Sequence, residues 1–344
     1  MAWARRILII GDFKLHSPES LRIERRHWIK GFVRNGCDVQ TFSYRNILHH
    51  FTPFHKRRYA FLFGRRKTEK SLIQIAESYR PDIVLISNMR DVSLDCLGFL
   101  RDVLKHTIFL GRDNDWKPAQ NKERMQIARK MDIVLATNAG SWLQDYKKAG
   151  VPVCAFMPCP CDPDIQHPYE SEPHLQADIL FIGRSEHPMH ATDPDRIAIL
   201  KQLSRMPSAR IYGSLGYRRI EGLDAFRAIS NTKIALSINA DNSQRLCHSD
   251  RFINCLACGA FTLAKWVPDS NLLFEDRREV KYFRSVNEFF DLADWYLQHE
   301  EERRSIAQAG MEKAHSQMNC TLMAQRVLDL VETGSYSAPW KYIL

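Results

Sequence analysis

Short apolar runs alternate with longer amphipathic stretches along the chain, and this alternation restricts its fold more than any other feature. In the first half we predict strands at 7–10, 38–42, 82–86, 107–110, 132–137 and 153–157, and helices at 21–35, 70–79, 92–104, 122–130 and 142–148. In the second half we predict strands at 177–182, 209–212, 233–238 and 260–264, and helices at 193–206, 223–230, 250–258 and over most of the chain after 286. Strands that alternate with helices form parallel βαβ units wound on both faces of a sheet.

A proline-rich segment separates the two halves. Its five prolines lie at positions 158, 160, 163, 168 and 173, and proline interrupts regular structure because it lacks a backbone N–H. We therefore predict an N-terminal Rossmann-like domain over 1–160, a linker over 161–176, a C-terminal Rossmann-like domain over 177–325, and a tail over 326–344 that packs back on the N-terminal domain. Ligands of such sheets bind beyond the carboxyl ends of the strands, so a cleft between the domains is the predicted site.

The charge is distributed unevenly. The net charge of +9 divides into +13 over residues 1–160 and −4 over the remainder. This asymmetry suggests that a polyanion, an anionic substrate or a membrane surface faces the N-terminal half. No apolar run approaches the roughly 18 residues of a spanning helix, and the first apolar run is too short for a signal peptide. We expect a cytoplasmic protein, attached to a membrane at most from the side.

The nine cysteines do not form a recognisable framework. Their number is odd, and neither Cys255-x-x-Cys258 nor Cys159-Pro160-Cys161 has the second pair that a zinc site needs. We predict free, mostly buried thiols and no metal site.

Two motifs of the second half suit an anionic ligand. Gly183-Arg184 directly follows an apolar strand, where a glycine lets a phosphate approach the backbone and the arginine can neutralise it. Ser249, Asp250 and Arg251 open a predicted helix, whose N-terminal N–H groups attract a pyrophosphate. The alternative for Gly183-Arg184 is an ordinary turn with a surface arginine. The alternative for the segment that begins at Ser249 is a capped core helix.

These motifs, the Ala257-Cys258-Gly259 helix end, the run from Leu273 to Phe283 and the stretch from Tyr296 to Gly310 together resemble a known family. They look like the C-terminal half of group-1-type glycosyltransferases, and most of all like the spore-maturation, CgeB-like glycosyltransferases. The resemblance covers residues 175–330 well and the first 160 residues mainly by pattern. It implies a GT-B fold: two facing Rossmann-like domains with an interdomain cleft, a nucleotide-sugar donor on the C-terminal domain and an acceptor on the other.

The resemblance also implies a donor site made of Gly183, Arg184, Tyr212, Gly213, Ser249, Arg251, Asn254 and Glu279. Arg184 and Arg251 would contact the diphosphate, and Ser249 would assist. Tyr212 and Gly213 would lie near the base. Asn254 departs from the family, whose carboxylate at this position holds the ribose hydroxyls. Asn254 still forms hydrogen bonds but carries no charge, so ribose binding would be weaker, or Glu279 or Glu275 would provide it.

The first half contains candidates for acid–base chemistry. Asp113 and Asp115 follow a predicted strand, and His16 follows the first one. An inverting transferase needs a general base here, whereas a retaining enzyme does not. An Asp-rich turn is the alternative, and Asp113-x-Asp115 would also suit a metal, although the two-domain layout argues against one.

A basic segment with interleaved aromatics occupies residues 56–67. Its predicted acceptor-binding or membrane-binding cations are Arg57, Arg58, Arg65 and Arg66. The segment would rest on anionic lipid or grip phosphates of a glycolipid. A solvated basic helix with a half-buried aromatic face is the alternative. A nucleic-acid patch is a further alternative, but no nucleic-acid motif is present, so no nucleic-acid partner is expected.

The predicted activity is transfer of a sugar, hexosyltransferase-like, from a nucleotide-diphospho-sugar to a glycan or glycolipid, in polysaccharide or glycolipid biosynthesis. Family analogy favours a retaining, metal-independent reaction with no cofactor beyond this co-substrate. The alternative is a catalytically inactive binding protein of the same fold, which Asn254 favours. An oxidoreductase or epimerase lacks support because no GxGxxG follows the first strand.

Overall fold

Two compact units make up the chain in a computed structural model that describes residues 4–14, 24–53, 63–89, 91–113, 121–184 and 193–344. The first unit comprises Met1–Met157 and Ala324–Leu344, and the second comprises Pro158–Met323. Each unit is built on one sheet in which all strand pairs are parallel.

The first unit contains a six-stranded sheet with the order β2-β1-β3-β4-β5-β6. Its strands are β1 (Arg6–Gly11), β2 (Asp38–Ser43), β3 (Ile83–Ile86), β4 (Ile108–Asp113), β5 (Ile133–Ala136) and β6 (Val153–Phe156). Its described helices are α1 (Glu24–Arg34), α2 (Tyr44–His50), α3 (Arg65–Tyr79), α4 (Leu94–Val103), α5 (Lys122–Ala128) and α6 (Ser141–Lys148). The central strands are continuous apolar runs, as expected for a parallel sheet whose two faces are covered.

The second unit contains a five-stranded sheet with the order β11-β10-β9-β7-β8. Its strands are β7 (Ala177–Ile182), β8 (Ala209–Tyr212), β9 (Thr232–Ser237), β10 (Phe261–Lys265) and β11 (Lys281–Phe283). Its helices are α7 (Pro194–Leu203), α8 (Leu223–Ser230), α9 (Asp250–Ala257), α10 (Val286–Gln298) and α11 (Glu300–Gln317). The last helix, α12 (Cys320–Thr333), begins in the second unit and ends in the first.

The C-terminal residues are tied to β6 of the first unit. Ile343 forms an antiparallel bridge with Ala155, and the Tyr336 hydroxyl donates to the Phe156 carbonyl at 2.6 Å. The Trp340 ring packs edge-on against Phe156, with 5.5 Å between ring centroids. The tail therefore covers an edge strand that would otherwise expose unpaired backbone groups.

Several element bounds differ from the sequence predictions. The predicted end of β4 at residue 110 is wrong, because Arg112 and Asp113 pair with Leu135 and Ala136 of β5 and extend the strand. Helix α3 begins at Arg65, five residues before the prediction, since its basic first turn is compatible with a helix. Helix α2 was not predicted: it has seven residues and follows β2 without an intervening loop.

The proline-rich segment is packed rather than free. Apart from a single bridge between Cys161 and Asn319, residues 158–176 form no strand or helix. Gln166 is completely buried, and the Cys161 N–H donates to Met318 at 2.8 Å. All nine cysteines are free thiols and eight are buried, with Cys37 partly exposed, which confirms that the thiols are free and mostly buried.

Gly310 allows α11 to approach the rest of the second unit closely. A Cβ atom at this position would collide with the Glu279 carbonyl oxygen and would lie 2.9 Å from Leu256 Cδ2. The carbonyl is backbone and cannot rotate away, so the helix would have to move. Gly98 in α4 offers a contrast, because a Cβ there meets nothing within 4 Å.

We predict that Gly310→Ala lowers the free energy of unfolding by about 1–3 kcal/mol, the usual cost of overpacking. The matched variant Gly98→Ala is expected to raise it by about 0.5–1 kcal/mol, because alanine favours a helix over glycine. Urea unfolding followed by circular dichroism measures both values. Equal stability of the two variants would contradict the packing assigned to Gly310.

Candidate functional site

Two glycines meet at the carboxyl edge of the second sheet. Strands β7 and β8 are paired so that Ile182 lies opposite Tyr212, which places Gly183 beside Gly213. The Gly183 N–H donates to the Tyr212 carbonyl at 3.0 Å, and the Ser214 hydroxyl donates to the Gly183 carbonyl at 2.5 Å. Gly213 has a φ of 77° and a Cβ there would lie 3.1 Å from the Gly183 oxygen, so both its conformation and its space require glycine.

The Arg251 guanidinium lies directly against Gly183. A Cβ at position 183 would collide with Arg251 Nη1 and would lie 2.9 Å from the Phe181 ring. Nη1 donates to the Ile182 carbonyl at 3.3 Å, and Nη2 donates to the Ser249 hydroxyl at 3.3 Å. The guanidinium carbon stands 4.8 Å from the centre of the Phe181 ring. The structure thus brings the predicted residues Gly183, Ser249 and Arg251 together.

Arg196 of α7 is a second arginine at the same ring, and sequence reasoning missed it. Its guanidinium carbon lies 5.4 Å from the Phe181 centroid, and Nη2 donates to the Arg184 carbonyl at 2.6 Å. The side chain is buried, and its Nε has no hydrogen-bond partner among the described residues. One feature of the sequence could have indicated Arg196. It lies in the first turn of a predicted helix, where the helix dipole makes a cation unfavourable.

The two guanidinium groups form a positive site without a paired carboxylate. Across the described part of the chain, no ion pair joins Arg196 or Arg251 to an acid. The neighbouring carboxylates are engaged elsewhere: Asp195 pairs with Lys265, and Asp193 accepts from Asn242 at 2.5 Å. Burial lowers the pKa of Arg251, and burial with the charge of Arg251 lowers the pKa of Arg196 to about 9. An anion bound here would offset the free-energy cost of burying the two positive charges.

Asn239 shapes the loop that leads to α9. Its amide donates to the Cys247 carbonyl at 2.7 Å and accepts from the Ser249 N–H at 3.3 Å. Ser249 is the N-cap of α9 and accepts no bond from a helix N–H on its hydroxyl, which instead accepts from Arg251. The two hydrogen bonds of the Asn239 side chain therefore fix where α9 begins and hence the position of the Arg251 backbone.

His248 is another buried polar residue that the sequence analysis missed. Its ring stacks on Phe252 with 4.1 Å between centroids, and its Nε2 has no hydrogen-bond partner among the described residues. Burial lowers its pKa to about 3, so the ring is neutral at physiological pH. A neutral imidazole beside Ser249 can donate or accept one further hydrogen bond.

Three further residues of the predicted donor site, Arg184, Tyr212 and Asn254, differ in how far they are buried. Arg184 is exposed, whereas the Tyr212 side chain packs in the core with Leu180 and Phe226. Asn254 accepts from the buried Gln166 amide at 2.5 Å. Of these three residues Arg184 is the most exposed, Asn254 is half-buried and Tyr212 is buried.

Glu279 is tied to α11. Its carboxylate accepts from Lys313 Nζ at 2.6 Å and from the Glu275 N–H at 2.7 Å. Its side chain is largely buried. These contacts anchor the loop before β11 to the helix that follows, and ribose binding by Glu279 stays a prediction.

Asp113 lies inside the first unit. It is the last residue of β4, and its carboxylate accepts from Arg124 Nη1 at 3.3 Å and from the Tyr146 hydroxyl. Both partners are buried, and burial with the charge of Asp113 raises the pKa of Tyr146. A base role for Asp113 stays a prediction, and its contacts favour a structural role.

The remaining predicted residues lie in or near the parts that the structure leaves out. His16, Asp115, Arg57 and Arg58 are outside the described residues. Arg65 pairs with Glu69 at 3.1 Å on α3, and Arg66 is exposed beside it.

A charged group at the carboxyl edge of the first sheet was not among the predicted site residues. Arg45 Nε lies 3.2 Å from Asp91 Oδ1 and 3.9 Å from Asp12 Oδ2, and both carboxylates are buried. Asn88 donates to Asp91 at 3.1 Å, and Lys14 has the left-handed φ of 44°. Asp12 could have been predicted as a site residue from the sequence, since it directly follows an apolar strand.

The described residues show neither a cluster of metal ligands nor a helix that could span a membrane. They contain no group of three or more His, Cys, Asp or Glu side chains that could hold a metal ion. None of the helices described is long and apolar enough to cross a bilayer.

Comparison with known structures shows the fold class. The Anabaena protein HepE in complex with UDP and glucose is 11% identical, with a TM-score of 0.65 over 96% of this chain and 100% of that one. Sucrose-phosphate synthase from Thermosynechococcus elongatus is 13% identical, with a TM-score of 0.65 over 95% and 98%. A putative UDP-N-acetylglucosamine 2-epimerase from Listeria monocytogenes is 8% identical, with a TM-score of 0.56 over 96% and 97%. The chain has the α/β GT-B fold of two Rossmann-like domains.

Sequence comparison adds a family match within this fold. Residues 196–329 match the family described as glycosyl transferase-like. No curated protein matches the chain. The matched range begins at Arg196 and includes α9 with Arg251.

We predict that Asp113→Ala lowers the free energy of unfolding by about 3–5 kcal/mol, because it removes the carboxylate that Arg124 is paired with. In Asp113→Ala/Arg124→Met the loss is expected to be smaller than the sum of the two single losses, as coupled residues require. Chemical unfolding measures all three variants. An Asp113→Ala protein that is as stable as the wild type but inactive would instead indicate the base role.

Proposed function

We propose that this protein is a glycosyltransferase that takes a sugar from a nucleotide-diphospho-sugar bound to its second unit. The observation that carries the proposal is the Arg251 guanidinium seated on Gly183 without a paired carboxylate among the described residues. A glycine at a strand end, an arginine and a helix N-terminus are the groups that bind a diphosphate. The glycosyl transferase-like match over 196–329 and the UDP-bound HepE structure of the same fold support the assignment.

The chemical task of this site is to stabilise a leaving diphosphate. As the bond between the anomeric carbon and the diphosphate oxygen breaks, negative charge grows on that oxygen. Arg251, with Arg184 nearby, supplies positive charge that is in place before the reaction, which is the most effective form of electrostatic stabilisation. On this ground we propose a metal-independent transfer without a further cofactor. Resemblance to the CgeB-like enzymes extends the proposal to a retaining, hexosyltransferase-like reaction.

The acceptor is proposed to be a glycan or glycolipid bound by the first unit. Asp12, Arg45 and Asp91 provide carboxylate and guanidinium groups at the carboxyl edge of that sheet, and such groups bind sugar hydroxyls through charge-assisted hydrogen bonds.

A cytoplasmic location with peripheral contact to an anionic membrane belongs to the same proposal. Phe63 is 59% exposed, and the first turn of α3 carries Arg65, Arg66 and Lys67 but no acid.

A catalytically inactive binding protein is the second candidate. The observation that favours it is Asn254, whose side-chain carbonyl is occupied by Gln166. In the family that this chain resembles, a carboxylate at the position binds the ribose. Product analysis separates the candidates, since an enzyme releases or transfers the sugar of a bound donor, whereas a binding protein leaves it intact.

We predict that Arg251→Ala weakens nucleoside diphosphate binding by roughly 10- to 100-fold, the value of one or two charged hydrogen bonds. Isothermal titration with UDP, GDP and TDP measures the affinity, and turnover of the matching nucleotide-sugars measures activity. Arg251→Lys tests the charge alone, and circular dichroism checks that each variant is folded. Arg278→Ala, at an exposed arginine paired with Glu275, is the matched control and should behave as the wild type. Normal turnover by Arg251→Ala would refute the donor site.

We also predict that Arg66→Glu/Lys67→Glu reduces binding to vesicles of phosphatidylcholine and phosphatidylglycerol by roughly 30-fold or more, because each basic residue near an anionic surface contributes about 1 kcal/mol. Co-sedimentation at two salt concentrations measures the effect. Lys130→Glu/Lys148→Glu changes the net charge equally at two exposed positions of the same unit. An equal loss in both variants would show that overall charge, and not the start of α3, attracts the membrane.

A further inference from the structure

Arg196 is a buried cation without a paired acid among the described residues. It is only 4% exposed, yet among the described residues its partners are a backbone carbonyl and an aromatic ring rather than an acid. Buried guanidinium groups are normally paired with carboxylates, because an uncompensated charge in the interior is costly. The nearest acids on its own helix do not serve it: Asp195 pairs with Lys265, and Asp193 accepts from Asn242 and from the Asp195 N–H.

A second cation increases this cost. Arg196 and Arg251 both stack on Phe181, and the charge of Arg251 lowers the pKa of Arg196. Repulsion between two buried like charges destabilises the folded protein, so the arrangement opposes folding unless a bound anion offsets it. An anion at Gly183 would attract both guanidinium groups at once and relieve their repulsion.

Arg196 also determines the backbone at the proposed site. Its Nη2 holds the Arg184 carbonyl at 2.6 Å. The preceding residue is Gly183, whose own carbonyl accepts from Ser214 and whose N–H donates to Tyr212. The backbone turn at Gly183–Arg184, against which Arg251 lies, is therefore held from both sides.

We propose that Arg196 is the positioning residue of the diphosphate site, and that its charge makes the site prefer a diphosphate to a monophosphate. This inference rests on the proposed function. Arg196 acts through the Arg184 carbonyl and through the electrostatic potential rather than by touching the ligand. A site with two cations and no paired acid attracts an anion in proportion to the anion's charge. A diphosphate carries more negative charge than a monophosphate, so the effect of Arg196 is larger on the diphosphate.

The test measures the affinities of the full-length protein for inorganic pyrophosphate and inorganic phosphate, and for UDP and UMP, by isothermal titration. Pyrophosphate has no base, so the result does not depend on which nucleotide the protein prefers. Arg196→Met is expected to weaken pyrophosphate binding about tenfold or more and to reduce the preference for pyrophosphate over phosphate. Arg196→Lys keeps the charge and should restore most of that preference.

Arg303→Met provides a matched control. Arg303 is also buried, at 6% exposure, lies in the same unit, and donates to a backbone carbonyl, that of Tyr296, at 2.7 Å. It packs at the start of α11 rather than beside Phe181. Its replacement should lower thermal stability as Arg196→Met does, and it should leave the preference for pyrophosphate unchanged.

The outcomes separate the two proposals. If the wild type binds neither pyrophosphate nor a nucleoside diphosphate, the proposed function fails. If the wild type binds both and folded Arg196→Met keeps the wild-type preference, the inference about Arg196 is overturned while the donor site stands. If Arg196→Met and Arg303→Met lose affinity equally, Arg196 has only a structural role and the inference is likewise overturned.

Discussion

The close approach of the Arg251 guanidinium to the backbone of Gly183 is the contact on which the architecture of the second unit's site depends. It requires a residue without a Cβ at the end of β7, a helix that starts at Asp250, and a loop that Asn239 clamps before that helix. Phe181 supplies an aromatic surface for the guanidinium. Each of these features would be unremarkable alone, and together they hold a positive charge where a parallel sheet leaves room for a ligand.

The two units treat charge at their carboxyl edges in opposite ways. In the first unit the carboxylates named above each have a guanidinium partner: Asp113 accepts from Arg124, and Arg45 lies between Asp12 and Asp91. In the second unit, Arg251 and Arg196 have no paired acid among the described residues. An edge whose carboxylates and guanidinium groups are paired suits a ligand with neutral hydroxyls, and an edge with unpaired positive charge suits an anion. This contrast is consistent with a sugar acceptor on the first unit and a diphosphate on the second.

Local patterns were good predictors of the elements and weaker predictors of side-chain roles. The bounds of β7, β8 and α8 agree with the sequence prediction, because each is an apolar run or amphipathic stretch with clear ends. Asp113 was predicted to follow a strand, but it belongs to the strand, since pairing with β5 outweighs the polarity of residues 112 and 113. Arg196 was missed because an arginine in a helix shows no pattern until the helix is placed against Phe181.

The sequence alone determined the alternation of strands and helices, the doubly wound class, the glycine at the end of β7 and the arginine at the start of α9. These follow from periodicity and local backbone preferences, which act over a few residues. Only the tertiary structure decided which polar groups meet: Arg251 with Gly183, Arg196 with Arg184, Asn254 with Gln166, and Asp113 with Tyr146. The reason is physical. These contacts join residues that are 12 to 88 positions apart in the sequence, and the packing of whole elements sets their distances.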